Sequence, residues 1–354
     1  MTRLALAFLL LLLAAPLRAQ PDWPAAALGL AQPAPALATA FAWHYPGAVE
    51  HAAFAFAQDA SGRAAWGFSS GATDIPTAMA AALADCMAEA AAQQIPAPCR
   101  VAARDTTLGA AGPVALLHPP VIGELRAAPL LRFQGPAMAR GVVIWGHGSA
   151  GPRGTDLRAT ATPGLVSVLN EAGWDVLRFD RAPGEDALDA VLPRLLAAVA
   201  AARAAGYARV VLGGHSRGGW ISLLAAARQP AGVEAVIALS PASWGRVAAG
   251  NGRAAEAMAA YDAALAQLAP SPVRLAVAVF DGDPYDPGPD RRAEMLARLD
   301  AARSAPALAL WPRDVEGHGG GEDWRFTRAM APCLRAWLDR PAVEAPRGLR
   351  RDGC

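Results

Sequence analysis

Arg209-Val210-Val211-Leu212-Gly213-Gly214-His215-Ser216-Arg217-Gly218-Gly219 decides the fold. An apolar, β-branched run reads as a buried strand and ends in Gly214-His215-Ser216-Arg217-Gly218, a G-x-S-x-G. A helix is predicted from Trp220 to Arg228. A turn this sharp between strand and helix forces the serine backbone into a strained conformation, and glycines on either side remove the clashes. It also presents the hydroxyl at a helix N-terminus, where the dipole favours developing negative charge. A G-x-S-x-G without that context is as well read as a structural loop serine.

Outward from this turn, strands alternate with helices, the grammar of a mostly parallel sheet. Upstream, the strand 141–145 ends in the glycine-rich Gly146-His147-Gly148-Ser149-Ala150-Gly151, followed by a helix near 163–172, the strand 175–179 and a long helix over 187–205. Downstream come the strand 233–239, a helix near 253–268, the strand 273–280, and helices near 291–302 and 324–338.

A serine nucleophile needs a base. Of six histidines, His318 in Glu316-Gly317-His318-Gly319-Gly320 stands in a flexible loop after the apolar stretch 307–311, where it can reach back to Ser216. His215 is expected to point away and pack, His147 belongs to the glycine-rich loop, and His118 sits in a linker. The base needs an orienting carboxylate. Asp281, Asp283 and Asp286 compete after the strand 273–280; Asp283 is preferred and Asp286 is its main rival. Main-chain N–H groups of Arg217 and Ser149 are the expected oxyanion donors. The Arg217 fork also suits a substrate carboxylate.

Residues 121–340 resemble an α/β-hydrolase, near the dienelactone-hydrolase-like and prolyl-oligopeptidase-like branches. The carrying motifs are His147-Gly148-Ser149-Ala150-Gly151, Gly214–Gly219, Asp283-Pro284 and Gly317-His318-Gly319. The resemblance implies a central sheet with helices on both faces and a Ser216–His318–Asp283 triad at the strands' carboxyl ends. About 30 residues separate the strands 233–239 and 273–280, which leaves no room for a large cap. Trp220, Trp244 and Tyr285 are either pocket walls or core residues.

The chain of 354 residues carries a formal net charge of +1, from 32 basic and 31 acidic residues, and every basic residue is Arg. Without Lys there is no phosphate-loop lysine, no pyridoxal Schiff base and no Ser-Lys dyad. The near-neutral balance argues against nucleic acid as a partner. No metal ligand set or cofactor loop is evident. Residues 1–19 carry Arg3, an apolar run and Ala19, and read as a secretory signal. No later segment is long and apolar enough to span a membrane.

Residues 20–40 are Ala- and Pro-rich and read as a poorly ordered lead-in. Residues 41–110 suit a small α+β module with strands over 41–57 and 63–70, a helix over 75–93 and a strand near Cys99. This part loosely resembles a small cysteine-bridged module of secreted bacterial proteins. A linker over 111–120 follows, and 341–354 is read as a tail. Four cysteines allow three pairings; the local bridges Cys86–Cys99 and Cys333–Cys354 are expected, in keeping with a periplasmic or secreted location.

The expected function is an exported serine hydrolase acting on carboxylic esters. The alternatives are a peptidase, amidase or acyltransferase with the same residues, or a non-catalytic binding protein on that fold. The substrate is a small-molecule ester or peptide, and oligomeric state is not readable.

Overall fold

The computed structural model describes residues 25, 28–45, 48, 51–105, 107–108, 112–113, 120–128, 131–149, 157–160, 162–243, 247, 253–286 and 288–353. The stretch 1–19 read as a secretory signal, Trp244 and Cys354 lie outside them. The chain divides into two units, residues 1–42 with 51–115 and residues 43–50 with 116–354.

In the smaller unit, α1 (Pro35–His44) precedes β1 (Ala53–Gln58), β2 (Ala64–Ser69), α2 (Ile75–Ala92), β3 (Arg100–Arg104), β4 (Thr107–Leu108) and β5 (Gly112–Pro113). The strands pair antiparallel in the order β2-β1-β3-β4-β5. Helix α2 begins where Asp74 accepts a hydrogen bond from the Thr77 N–H at 2.7 Å. It lies so close to β2 that a Cβ on Gly67 would run into the Ala82 carbonyl and the Cys86 amide. Cys86 is bonded to Cys99, which ties the helix to the start of β3. The lead-in expected through Ala40 is instead helical from Pro35, and the first strand begins at Ala53, not near 41. Leu37 and Phe41, one turn apart, are fully buried, and Phe41 meets Phe54 edge-on at 5.0 Å. The linker expected over 111–120 contributes β5.

The larger unit runs β6 (Val121–Ile122), β7 (Leu125–Ala127), β8 (Gly141–Gly146), α3 (Gly164–Glu171), β9 (Trp174–Phe179), α4 (Leu188–Ala204), β10 (Val210–His215), α5 (Arg217–Ala227), β11 (Val233–Leu239), α6 (Arg253–Leu268), β12 (Arg274–Ala278), α7 (Pro289–Ala301), β13 (Ala307–Leu310), α8 (Trp324–Asp339) and β14 (Gly348–Arg350). The sheet order is β14-β13-β12-β11-β10-β8-β9-β7-β6. All pairs from β14 to β9 are parallel; β7 joins β9 antiparallel. The stretch 341–354, read as a tail, supplies the edge strand β14.

Alternate residues on the buried strands feed two cores, because successive side chains leave opposite faces of a sheet. Val210 and Leu212 belong to one core with Leu195 of α4, Leu223 of α5, Met258 of α6 and Leu296 of α7. Val211 and Ile237 pack on the other face with Leu165 of α3 and with Phe326, Met330, Leu334 and Trp337, the apolar stripe of α8. From β8 the chain steps to β9 on one side, then returns to β10 on the other. Such a reversal opens a crevice at the strands' carboxyl ends, between the loops after β8 and β10. Among the described residues no helix is long and apolar enough to cross a membrane.

Candidate active site

Ser216 stands between β10 and α5 with φ 53° and ψ −119°, a left-handed backbone rare for a residue with a Cβ. The turn survives because the surroundings fix it. The Ser216 N–H donates to the Leu239 carbonyl (2.9 Å), and the Ser216 carbonyl accepts from Trp220 and Ala242. Its hydroxyl is not used to cap the helix. Close packing explains the flanking glycines: a Cβ on Gly218 would overlap the Gly146 carbonyl, and one on Gly214 would lie 2.6 Å from that same oxygen. Helix α5 therefore starts directly against the end of β8.

His318 is carried by the loop after β13. The Gly317 N–H donates to the Asp281 carbonyl (2.7 Å), which ties this loop to the one after β12. His318 Nδ1 lies 2.9 Å from both carboxylate oxygens of Asp283. That carboxylate is 1% exposed and also accepts from the Tyr285 N–H (2.8 Å). The Tyr285 ring stands 4.2 Å from the His318 ring. His215, expected only to pack, does more: its Nε2 donates to the His318 carbonyl (2.8 Å) and its ring lies 4.8 Å from the His318 ring. The residue before Ser216 thus holds the His318 loop against the turn. Burial pushes the His215 imidazole below its ordinary pKa, and the His318 carbonyl then meets a neutral N–H.

The rival carboxylates sit elsewhere. Asp286 is buried and pairs with Arg292, whose Nε is 3.1 Å away; burial holds its carboxyl above the usual range. Asp281 serves the loops through its main chain.

On the β8 side, Gly148 faces the nucleophile turn: a Cβ there would lie 3.4 Å from the Ser216 Cβ. His147 Nε2 accepts from the Arg181 N–H (2.9 Å), so its proton is on Nδ1, which donates to the Gly148 carbonyl (2.7 Å). Burial, and then the Arg181 charge, bring its pKa down to about 4. Ser149 is exposed at the rim, and Arg217 opens the first turn of α5. The Arg217 fork, considered for a substrate carboxylate, donates instead to the carbonyls of Ser243 (2.9 Å) and Asp186 (2.7 Å). Trp220 is core, packed with Leu223 and Leu195. Arg181 and Asp186, absent from the sequence reading, border the same loops. No motif spacing marks them; only the strand end that precedes them could have drawn attention to this loop.

The Esterase family model matches residues 178–330, from the end of β9 into α8, and so includes the turns bearing Ser216, Asp283 and His318. The larger unit has the fold of an α/β hydrolase, its sheet parallel from β14 to β9 and the family match lying across its middle. No curated protein matches the chain. Among solved structures the chain is similar to Est1E from Butyrivibrio proteoclasticus, with 19% identity over 55% of this chain and 84% of that one and a TM-score of 0.37. It is similar to a dienelactone hydrolase from Anabaena variabilis, with 19% identity, 52% and 82% covered and a TM-score of 0.36. It is also similar to the esterase Pf2001 from Pyrococcus furiosus, with 17% identity, 51% and 75% covered and a TM-score of 0.37.

Proposed function

We propose that the chain is an exported serine hydrolase of carboxylic esters. The observation that carries this reading is His318 Nδ1 set against both Asp283 oxygens, on a loop that His215 holds beside Ser216. With Nδ1–H donating to the carboxylate, Nε2 is the basic nitrogen. Ser216 Oγ attacks the acyl carbon as His318 Nε2 takes its proton. The carbonyl oxygen becomes an oxyanion that meets the main-chain N–H groups of Arg217 and Ser149. Collapse breaks the bond to the alcohol, which leaves with the proton from His318. Water then gives a proton to His318, attacks the acyl-enzyme and releases the acid, restoring Ser216. Asp283 holds the imidazole and stabilises the imidazolium in both halves. The Cys86–Cys99 bond, and the disulfide-bonded state of Cys333, support an oxidising destination for the chain.

The test is hydrolysis of a p-nitrophenyl ester series of increasing acyl length by residues 20–354, beside Ser216→Ala. Loss of turnover in the variant supports the serine mechanism, and the length profile sizes the acyl site. Turnover by Ser216→Ala at the wild-type rate would refute it.

A further inference from the structure

The segment Arg181–Asp186, after β9, touches both elements expected to supply oxyanion donors. Arg181 is 1% exposed. Its Nη2 donates to the carbonyls of His147 (2.5 Å) and Gly148 (3.1 Å), and its main-chain N–H donates to His147 Nε2. Its Nε is paired with Asp186 at 2.7 Å. The Asp186 carboxylate also accepts from the Ser149 side chain, while its carbonyl accepts from Arg217 Nη2 at 2.7 Å. Burial alone would raise the Asp186 carboxyl, but the bonds from Ser149 and Arg181 outweigh it and hold the group below the usual carboxylate range. It is therefore a charged acceptor at neutral pH.

We infer that Asp186, acting with Arg181, is the positioning residue of the oxyanion hole, fixing the spacing between the Ser149 and Arg217 main-chain donors. This rests on the serine-hydrolase reading of Ser216. The physical need is geometric. Donors stabilise an oxyanion only within a few tenths of an ångström of hydrogen-bond distance, and one of the two, Ser149, is exposed at the end of a glycine-rich stretch. Glycines leave such a loop conformationally free, so its shape must come from side chains outside it. Arg181 grips that loop by two carbonyls and one imidazole. Asp186 fixes Arg181 from the other side, holds the Ser149 hydroxyl, and reaches helix α5 through the Arg217 side chain. A guanidinium buried this deeply requires its carboxylate partner, so removing the charge of Asp186 loosens both ends at once.

The test compares wild type, Asp186→Asn, Ser149→Ala, Asp186→Glu and the control Glu171→Gln, exposed at the end of α3 before β9 begins. It reads kcat and KM on p-nitrophenyl acetate, labelling of Ser216 by a fluorophosphonate, and inhibition by an alkylboronic acid, whose tetrahedral adduct places an oxygen in the hole. Rates are normalised to sites that label. Asp186→Asn is expected to lower kcat by about 10- to 100-fold with KM nearly unchanged, and to weaken the boronic acid in parallel. Asp186→Glu is expected to recover part of the loss, and Glu171→Gln to match wild type. Ser149→Ala removes an exposed hydroxyl and keeps the N–H; it is expected to lose about 3- to 10-fold in kcat with an unchanged melting temperature, a result that does not require Asp186→Asn to fold. Wild-type kcat per labelled site and wild-type boronate affinity in Ser149→Ala and any folded Asp186→Asn would overturn the inference alone. A wild-type chain that neither labels nor hydrolyses would overturn the serine-hydrolase reading, and this inference with it.

Discussion

Ser216 occupies a backbone conformation that disfavours any side chain, and that strain is part of the site. Ser216→Gly relieves it at some cost in unfolded-chain entropy. The variant is expected to abolish hydrolysis yet unfold at a higher urea midpoint, by up to about 1–2 kcal/mol, read by circular dichroism. Asp283 and Asp286 part company just as clearly. Asp283→Asn is expected to cost roughly a thousandfold in kcat with little change in melting temperature, since it withdraws the charge behind His318. Asp286→Asn leaves Arg292 buried without its partner and is expected to cost about 3 kcal/mol of stability, while folded molecules keep their rate. At this scale the sequence makes Ser216 and His318 readable, because a serine between strand and helix and a histidine in a glycine-rich loop each carry a local signature. Choosing between the carboxylates needs Arg292, six residues beyond Asp286, which no local pattern singles out. Arg181 and Asp186 are invisible for the same reason.

The loop after β8 is the element with the clearest pH dependence. His147 has a pKa of about 4 in the fold, against an ordinary value near 6.5. As pH falls the unfolded chain takes up this proton first, so stability that is whole above about 6.5 drains away as pH descends toward 4, by about 3 kcal/mol in all. Urea midpoints taken between pH 7.5 and 4 are expected to fall more steeply for wild type than for His147→Gln; equal slopes would show that His147 does not drive the effect. Helix α5 is similarly unforgiving. Gly218→Ala drives a methyl into the Gly146 carbonyl and is expected to separate α5 from β8, with loss of both activity and stability. Elements such as β8, β11 and β12 are legible because each is a mostly apolar, largely buried run. The short strands β4 to β7 hold two or three residues each and are set by their partners across the sheet. Helix α1 was masked by its Ala-Pro composition, although Leu37 and Phe41 already stood one turn apart.

For the molecule as a whole, the α/β alternation and the parallel sheet followed from sequence, and the smaller unit's helix and strands were partly legible beside it. The Cys86–Cys99 bond closes a short loop within that unit. Cys86→Ser with Cys99→Ser is expected to cost about 3 kcal/mol there, seen as an earlier melting transition by calorimetry, while ester turnover by the larger unit persists. The nine-stranded sheet of that unit ends in β14, three residues with an arginine, and in β6, two residues. Neither border offers enough free amide and carbonyl groups to template another chain. Among the described residues, growth of this sheet by strand addition is thus disfavoured at both margins, which leaves its helical faces as the broader surfaces of the larger unit.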